Sequence, residues 1–295
     1  MDPGGKVSLR MKRHSIWTII LLSFLGIFAS LMLNGCKSAP KEETTAPSVT
    51  TAPAQPPAPA APAPTIPLSA DLSLDRAVKA TQPLAYYRFK GAKGVSEVGT
   101  TTYELTGGAS STSGGPGSVA DNHFALLDGK DGWIKTTQMG GIEKTGSMMA
   151  WVNLATLPKT AGRIFYVAGE SQSGNDFDLQ FETDNGLRFY TGAGGNVSYL
   201  PDPNTLVNQW HMIVATMDAV TPGRAIYWDG QSQATDKSGS NTPKTSEFTI
   251  GESPVFTGRF FQGGIDEVAI WNRVLTPPEV SALYQSATKK PAGGQ

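Results

Sequence analysis

The 295-residue chain has one cysteine, Cys36, three histidines and no excess of either charge, with 24 Lys and Arg against 25 Asp and Glu. Each scarcity excludes something. A lone cysteine makes no internal disulfide, so the folded part is held together by its core. Histidine and cysteine are too few and too scattered for a zinc site of the usual spacing. A chain with no basic stripe lacks the electrostatic footprint of a nucleic-acid binder, and no nucleic acid is expected as a partner. Long helical periodicity is missing too, which argues against a helical bundle. Glycine, with 33 residues, and proline, with 21, are plentiful.

The proline is not spread evenly. Nine of the 21 fall in Ser38–Pro67, interleaved with Ala and Thr. Such a segment buries no core and leans to an extended polyproline conformation; at roughly 3.1 Å per residue it reaches on the order of 90 Å. Ahead of it stand Lys6, Arg10, Lys12 and Arg13, then the apolar run Ile16–Leu33, then Leu33-Asn34-Gly35-Cys36-Lys37. A basic leader, an apolar stretch and small residues before a cut site describe a secretory signal. Glycine directly before the only cysteine resembles the lipobox of bacterial lipoproteins, in which that cysteine becomes the lipidated first residue. The apolar run is also long enough for an uncleaved membrane anchor. Met11 is an alternative start. On the lipoprotein reading Cys36 is the lipidation site and the chain is lipid-anchored in the cell envelope. Lys37 then resembles the residue found in proteins sent to the outer membrane where the host has two. Removing the residues before Cys36 takes away four basic residues and Asp2, leaving 20 basic against 24 acidic.

The rest reads as short strands between Gly-rich turns. A short helical lead-in at Leu74–Lys79 precedes strands around Pro83–Phe89, Thr101–Leu105, Phe124–Leu127, Trp133-Ile134, Met148–Asn153, Arg163–Ala168, Trp210–Met217, Arg224–Trp228 and Glu247–Ile250. Phe177, Leu179 and Phe181 alternate with Asp178, Gln180 and Glu182, so the first three face a core and the others face out. Asp184-Asn185-Gly186 is a tight-turn signal. The chain returns through Leu187 and Phe189 inward, Arg188 and Tyr190 outward. Many short strands without crossover helices predict an all-β fold, an antiparallel two-sheet sandwich. The boundaries expected are a signal peptide at 1–35, a Pro/Ala-rich linker at 36–70, one sandwich domain at 71–288 and a disordered tail at 289–295.

The closing stretch organises this domain. Gly263–Trp271 reads as a central strand, apolar on both faces. Thr276 is a helix N-cap, Pro277 stands at the first helical position and Glu279 completes a capping box. Period two places Asp266 on one row with Val268 and Ile270. An acid on a core-facing row is costly unless it is paired, hydrogen-bonded or metal-bound.

Pro83-Leu-Ala-Tyr-Tyr-Arg-Phe, Leu127-Asp-Gly-Lys-Asp-Gly-Trp, Met149-Ala-Trp-Val, Trp210-His-Met-Ile-Val-Ala-Thr, Ile226-Tyr-Trp-Asp-Gly and Gly264-Ile-Asp-Glu-Val-Ala-Ile-Trp-Asn-Arg-Val-Leu occur in that order. Together they resemble the laminin G-like members of the concanavalin A-like jelly rolls, over about Leu74 to Ala287. The resemblance implies a jelly-roll surface module that binds carbohydrate or protein; the fold alone does not fix the ligand. The calcium pair of the similar pentraxins has only Glu252 as a candidate here. The structural calcium of laminarinase-related jelly rolls lies near an acid on the closing strand, a place comparable to Asp266. The alternative is that Asp266 accepts backbone N–H bonds from a loop. The laminarinase pattern of two glutamates around an aspartate does not occur, so the chain is expected not to be an enzyme. A glycoside hydrolase-like jelly roll and a protein-binding envelope lipoprotein are the alternatives. His211 reads as structural, and His123 as part of a polar loop. For a saccharide, the outward row offers Asp178, Gln180 and Arg188 for hydroxyls. Tyr190 or Tyr199 would stack on a ring, with Asn175 and Asn196 in adjacent loops.

Overall fold

In a computed structural model, residues 72–117, 121–137, 142, 144–170, 176–192, 195–238 and 248–288 are described. The signal segment, Cys36, the spacer and Asn175 lie outside them.

The closing strand, β16 (Gln262–Trp271), is central, as its two apolar faces predict. It pairs along its length with β7 (Thr145–Leu154). Its other edge is shared by β5 (His123–Asp128) and β1 (Ala85–Tyr87). Beyond β7 follow β12 (His211–Asp218), β13 (Gly223–Trp228) and β14 (Gln231–Asp236); beyond β5 lies β4 (Ser110–Ser113). The second sheet runs β11 (Asn196–Tyr199), β10 (Leu187–Thr191), β9 (Phe177–Phe181), β8 (Phe165–Glu170), β15 (Phe248–Ile250), β6 (Trp133–Thr136), β3 (Thr102–Thr106), β2 (Lys93–Val95). All strand pairs named here are antiparallel, and the two sheets pack as a jelly-roll sandwich.

The inner faces meet in one apolar layer. Phe177, Leu179, Phe181, Leu187 and Phe189 of the predicted hairpin join Met148, Ala150, Val152, Ile213, Ile226, Val268 and Ile270 from the first sheet. Phe177 meets Phe189 edge to face at 5.4 Å, the arrangement ring quadrupoles favour. Burying each such side chain contributes about 1.5–3 kcal/mol. The hairpin turn is as expected: Asp184 accepts the Gly186 N–H at 2.8 Å, and Asn185 takes the left-handed conformation.

The outer face of the first sheet is covered as well. Met149, Trp151, Met212, Val214, Ala269 and Trp271 lie under helix α1 (Leu74–Ala80) and helix α3 (Pro277–Thr288), which contribute Leu74, Val78, Val280 and Leu283; the short helix α2 (Pro158–Ala161) falls between them in the chain. Trp151 stacks on Tyr284 of α3 at 5.9 Å. The predicted capping box forms: the Thr276 N–H donates to Glu279 Oε2 at 2.8 Å and the Glu279 N–H to Thr276 Oγ1 at 3.4 Å.

One predicted face is corrected. Asp266 pairs with Trp151 and Ala269 with Met149, so Glu267 and Val268 oppose the single residue Ala150. Glu267 is the bulge, at φ 52°. The extra residue flips the alternation. Ile265, Val268 and Ile270 point between the sheets, while Asp266 shares the outer face with Trp151, Ala269 and Trp271.

Candidate ligand-binding face

Helices α1 and α3 close the outer face of the first sheet; the outward row of β9 and β10 lies on the outer face of the second. There, register puts Tyr166 beside Gln180 and Arg188, and Gly169 beside Asp178 and Tyr190. Thr249 and Lys135 continue the second row. Gly169 is required: a Cβ would come within 2.3 Å of the Phe177 carbonyl and 2.6 Å of the Asp178 Cβ.

Four side chains on this face form a continuous polar chain. Arg259 Nη1 donates to Gln180 Oε1 at 2.8 Å, and Gln180 Nε2 donates to Glu182 Oε1 at 2.7 Å. Tyr190 Oη donates to the same Glu182 oxygen at 3.0 Å. Arg188 lies alongside, forked onto Asp184 at 3.0 and 2.6 Å. Arg259 comes from a loop, residues 251–261, that folds over the end of this face. The loop is tied down where the Gly251 N–H donates to the Val167 carbonyl and the Tyr166 N–H to the Arg259 carbonyl, both at 2.9 Å.

Sequence alternation predicts Asp178 and Gln180 as solvent-facing. They do lie on the outward row, but only 4% and 3% of their surface is exposed. Pairing tells which side of a sheet a residue takes, whereas what covers that side, such as Arg259 against Gln180, is a tertiary feature. Arg188, Tyr190 and Asn196 are half-buried; Asn196 stands in strand β11, not in a loop, and pairs opposite Tyr190. Tyr199 is elsewhere. It pairs with Leu187 and so points inward, where its ring lies 5.8 Å from Trp228 at the sandwich edge. It therefore does not share a face with Tyr190.

The charges on this face follow from burial and pairing. Burial, then the Glu182 carboxylate, pushes the Tyr190 phenol up to about 12, so it stays a donor. The Arg188 guanidinium holds Asp184 down to about 2, a charged turn residue. Burial raises Glu252 to about 7, against hydrogen bonds that favour its anion. Glu252 Oε1 accepts the Gly258 N–H at 2.8 Å, whereas its buried Oε2 has no hydrogen-bond partner. Sequence pattern gives no sign of Arg259 or Glu252 on this face, because both reach it from a loop.

Asp266 belongs to a different cluster. It is fully buried, with Oδ1 accepting the Glu267 N–H at 2.8 Å and Oδ2 accepting from Asn122 Nδ2 at 3.1 Å. Glu267 accepts from Arg88 Nε at 3.1 Å and from the Tyr86 hydroxyl. Arg88 Nη2 also donates to Asn122 Oδ1 at 3.0 Å. Burial, then the neighbouring Glu267 charge, drives the Asp266 carboxyl well above the carboxylate range. Calcium needs several converging oxygens. Here Asp266 faces N–H donors, and Arg88 supplies the positive charge. Among the described residues no group of three His, Cys, Asp or Glu side chains is placed to hold a metal ion. The arrangement does not fit calcium on Asp266, and it differs from the alternative too: the donors are the N–H of the next residue in the strand bulge and the Asn122 side-chain amide, not backbone N–H groups of a loop.

Residues 128–281 match the family model described as the concanavalin A-like lectin/glucanases superfamily, just over half of the chain. The chain belongs to this superfamily. No curated protein matches it by sequence. Among solved structures it is similar to domain 4 of AbnA, a GH43 extracellular arabinanase from Geobacillus stearothermophilus, solved in complex with arabinotriose. That match has TM-score 0.51 and 19% identity, covering 68% of this chain and 97% of the other. It is similar also to the binding domain of botulinum neurotoxin serotype D, with TM-score 0.53 and 8% identity over 70% and 52% of the two chains. The receptor binding domain of the C/D mosaic serotype matches with TM-score 0.52 and 11% identity over 69% and 51%. This chain spans about half the length of those toxin domains.

Within this concanavalin A-like sandwich the two noted histidines take settled places. His211 Nδ1 bonds Asp229 Oδ2 at 2.8 Å and Nε2 bonds the Thr205 carbonyl at 2.9 Å, the structural role expected of it. His123 stands in strand β5, not in a loop, beside Ser113 at 3.2 Å. A retaining glycosidase needs two carboxyls close together across the bond it breaks. On the described face Asp178 is buried, Glu182 accepts two hydrogen bonds and Asp184 is held by Arg188, so none of the three stands free opposite another.

Proposed function

We propose that this chain is a non-catalytic carbohydrate-binding module, lipid-anchored through Cys36 and held off the cell membrane by its proline-rich spacer. The observation that carries the binding half is the chain Arg259–Gln180–Glu182–Tyr190 on the sheet face that the helices leave open. Planar amides, carboxylates and guanidinium bond vicinal sugar hydroxyls, and Tyr190 adds a half-exposed ring. A domain of similar fold solved with arabinotriose supports a saccharide ligand. The held carboxylates of the face support a binder over a hydrolase.

The test is retention of the full chain, in mild detergent, on immobilised polysaccharides, with and without Tyr190→Ala. Wild-type retention that Tyr190→Ala weakens by about tenfold or more is expected. Retention unchanged in the variant would remove this face from the reading. Capture of an envelope protein with no saccharide retained would favour the protein-binding alternative. The anchor has its own test: Cys36→Ser leaves the chain unlabelled by a fatty-acid analogue, and undiminished labelling would refute it.

A further inference from the structure

The loop that reaches over the candidate face carries an exposed aromatic. Phe256 has 46% of its surface open, next to Val255 at 44%. An isolated exposed ring needs no explanation, but this one is held. The Arg259 guanidinium lies 4.2 Å from the Phe256 ring centroid. The same guanidinium donates to Gln180, so the ring is one side chain away from the polar chain of the face. Ser253 Oγ accepts the Phe256 N–H at 3.1 Å and the Val255 N–H at 3.3 Å. The Gly258 N–H closes the loop onto Glu252, and the Phe261 N–H donates to the Gly251 carbonyl at 2.8 Å. These bonds fix an apolar ring at the surface. A ring already ordered loses little freedom when a ligand covers it.

We propose that Phe256 is the stacking platform of this site, its open face taking the C–H face of one uncharged saccharide ring while the half-buried Glu182 and Tyr190 bond the hydroxyls of the same ligand. The ring already carries a cation on one side, and a second cation on the other would gain less from the same π-electrons. An uncharged sugar ring, which presents weakly polar C–H groups, suits the remaining face. Glu252, at the base of the loop, adds a buried carboxyl oxygen without a partner. Arg259 acts as a positioning residue, holding Phe256 against Gln180. The inference rests on the reading of this face as saccharide-binding.

The experiment is affinity electrophoresis of the full chain in mild detergent through gels containing arabinan, xylan or mixed-linkage β-glucan, each uncharged. The variants are Phe256→Ala, Phe256→Leu, Phe256→Trp and Tyr190→Ala. Phe256→Ala and Phe256→Leu are expected to weaken retardation by about tenfold or more, and Phe256→Trp to stay within about twofold of wild type. Leu keeps an apolar group but no flat face, so it separates stacking from burial. Leu at wild-type strength would overturn the platform. Loss in Tyr190→Ala with all three Phe256 variants intact would overturn it too, while sparing the face. No retardation of wild type in any gel would defeat the saccharide reading and this inference together.

Discussion

Glu252 combines a buried carboxyl, one accepted hydrogen bond and an oxygen with none. Its carboxyl, ordinarily near 4.5, is raised by burial to about 7. In the unfolded chain the group loses its proton near 4.5, while in the fold it keeps it to about 7. The stability it contributes is therefore fully present below pH 4.5, declines as pH rises and is gone above about 7. Glu252→Gln mimics the protonated form at every pH. Urea unfolding of wild type and variant between pH 4.5 and 8 should give curves that diverge, the variant holding on the order of 1–2 kcal/mol more stability at the upper end. Parallel curves would contradict this account of Glu252. Asp266 raises the same kind of question and sequence does flag it, since an acid inside Ile265–Trp271 needs a partner. What no local pattern gives is the partner set, because Arg88 and Asn122 are far away in the chain and only the fold brings them to the bulge.

At the scale of elements, β16 shows why alternation alone puts Asp266 on the wrong face. Alternation is a rule of unbroken strands, and one inserted residue moves everything before it to the opposite side. Nothing in Gly-Ile-Asp-Glu-Val announces that Glu267 takes a left-handed conformation; there its N–H bonds the Asp266 carboxyl and its side chain the Arg88 guanidinium. Helix α3 is the opposite case. Its start is written in Thr276, Pro277 and Glu279, a purely local signal, and the box forms as spelled. Arg273 adds what the motif omits, donating to Glu279 at 3.0 and 2.7 Å. Thr276→Ala should cost about 1 kcal/mol in urea unfolding. Glu279→Ala should cost more, since it removes the acceptor and leaves Arg273 without it. Equal losses would mean that Arg273 contributes nothing. The hairpin of β9 and β10 was legible down to its turn residues. The strands β2, β4, β11 and β14 were not, since they lie at sheet edges and are largely polar, as edges that avoid aggregation tend to be.

At the scale of the whole molecule, the two outer faces are unlike. One is sealed by α1 and α3 over Met149, Trp151, Met212 and Trp271, and the other carries Gln180, Glu182, Arg188 and Tyr190, with Arg259 of the 251–261 loop bonded to Gln180. The fold class was legible because alternation, turn residues and motif order agree. The difference between the faces was only half legible. Outward residues of β9 and β10 stand out in sequence, but the loop bearing Phe256 and Arg259 has no periodicity to betray where it folds. The most direct measurement is a residue-by-residue map of backbone amide NMR shifts as the retained oligosaccharide is titrated into the protein. The expected result is that shifts concentrate on β8, β9, β10 and residues 252–259. Shifts confined to α1, α3 and the first sheet would contradict the assignment of the open face as the ligand site.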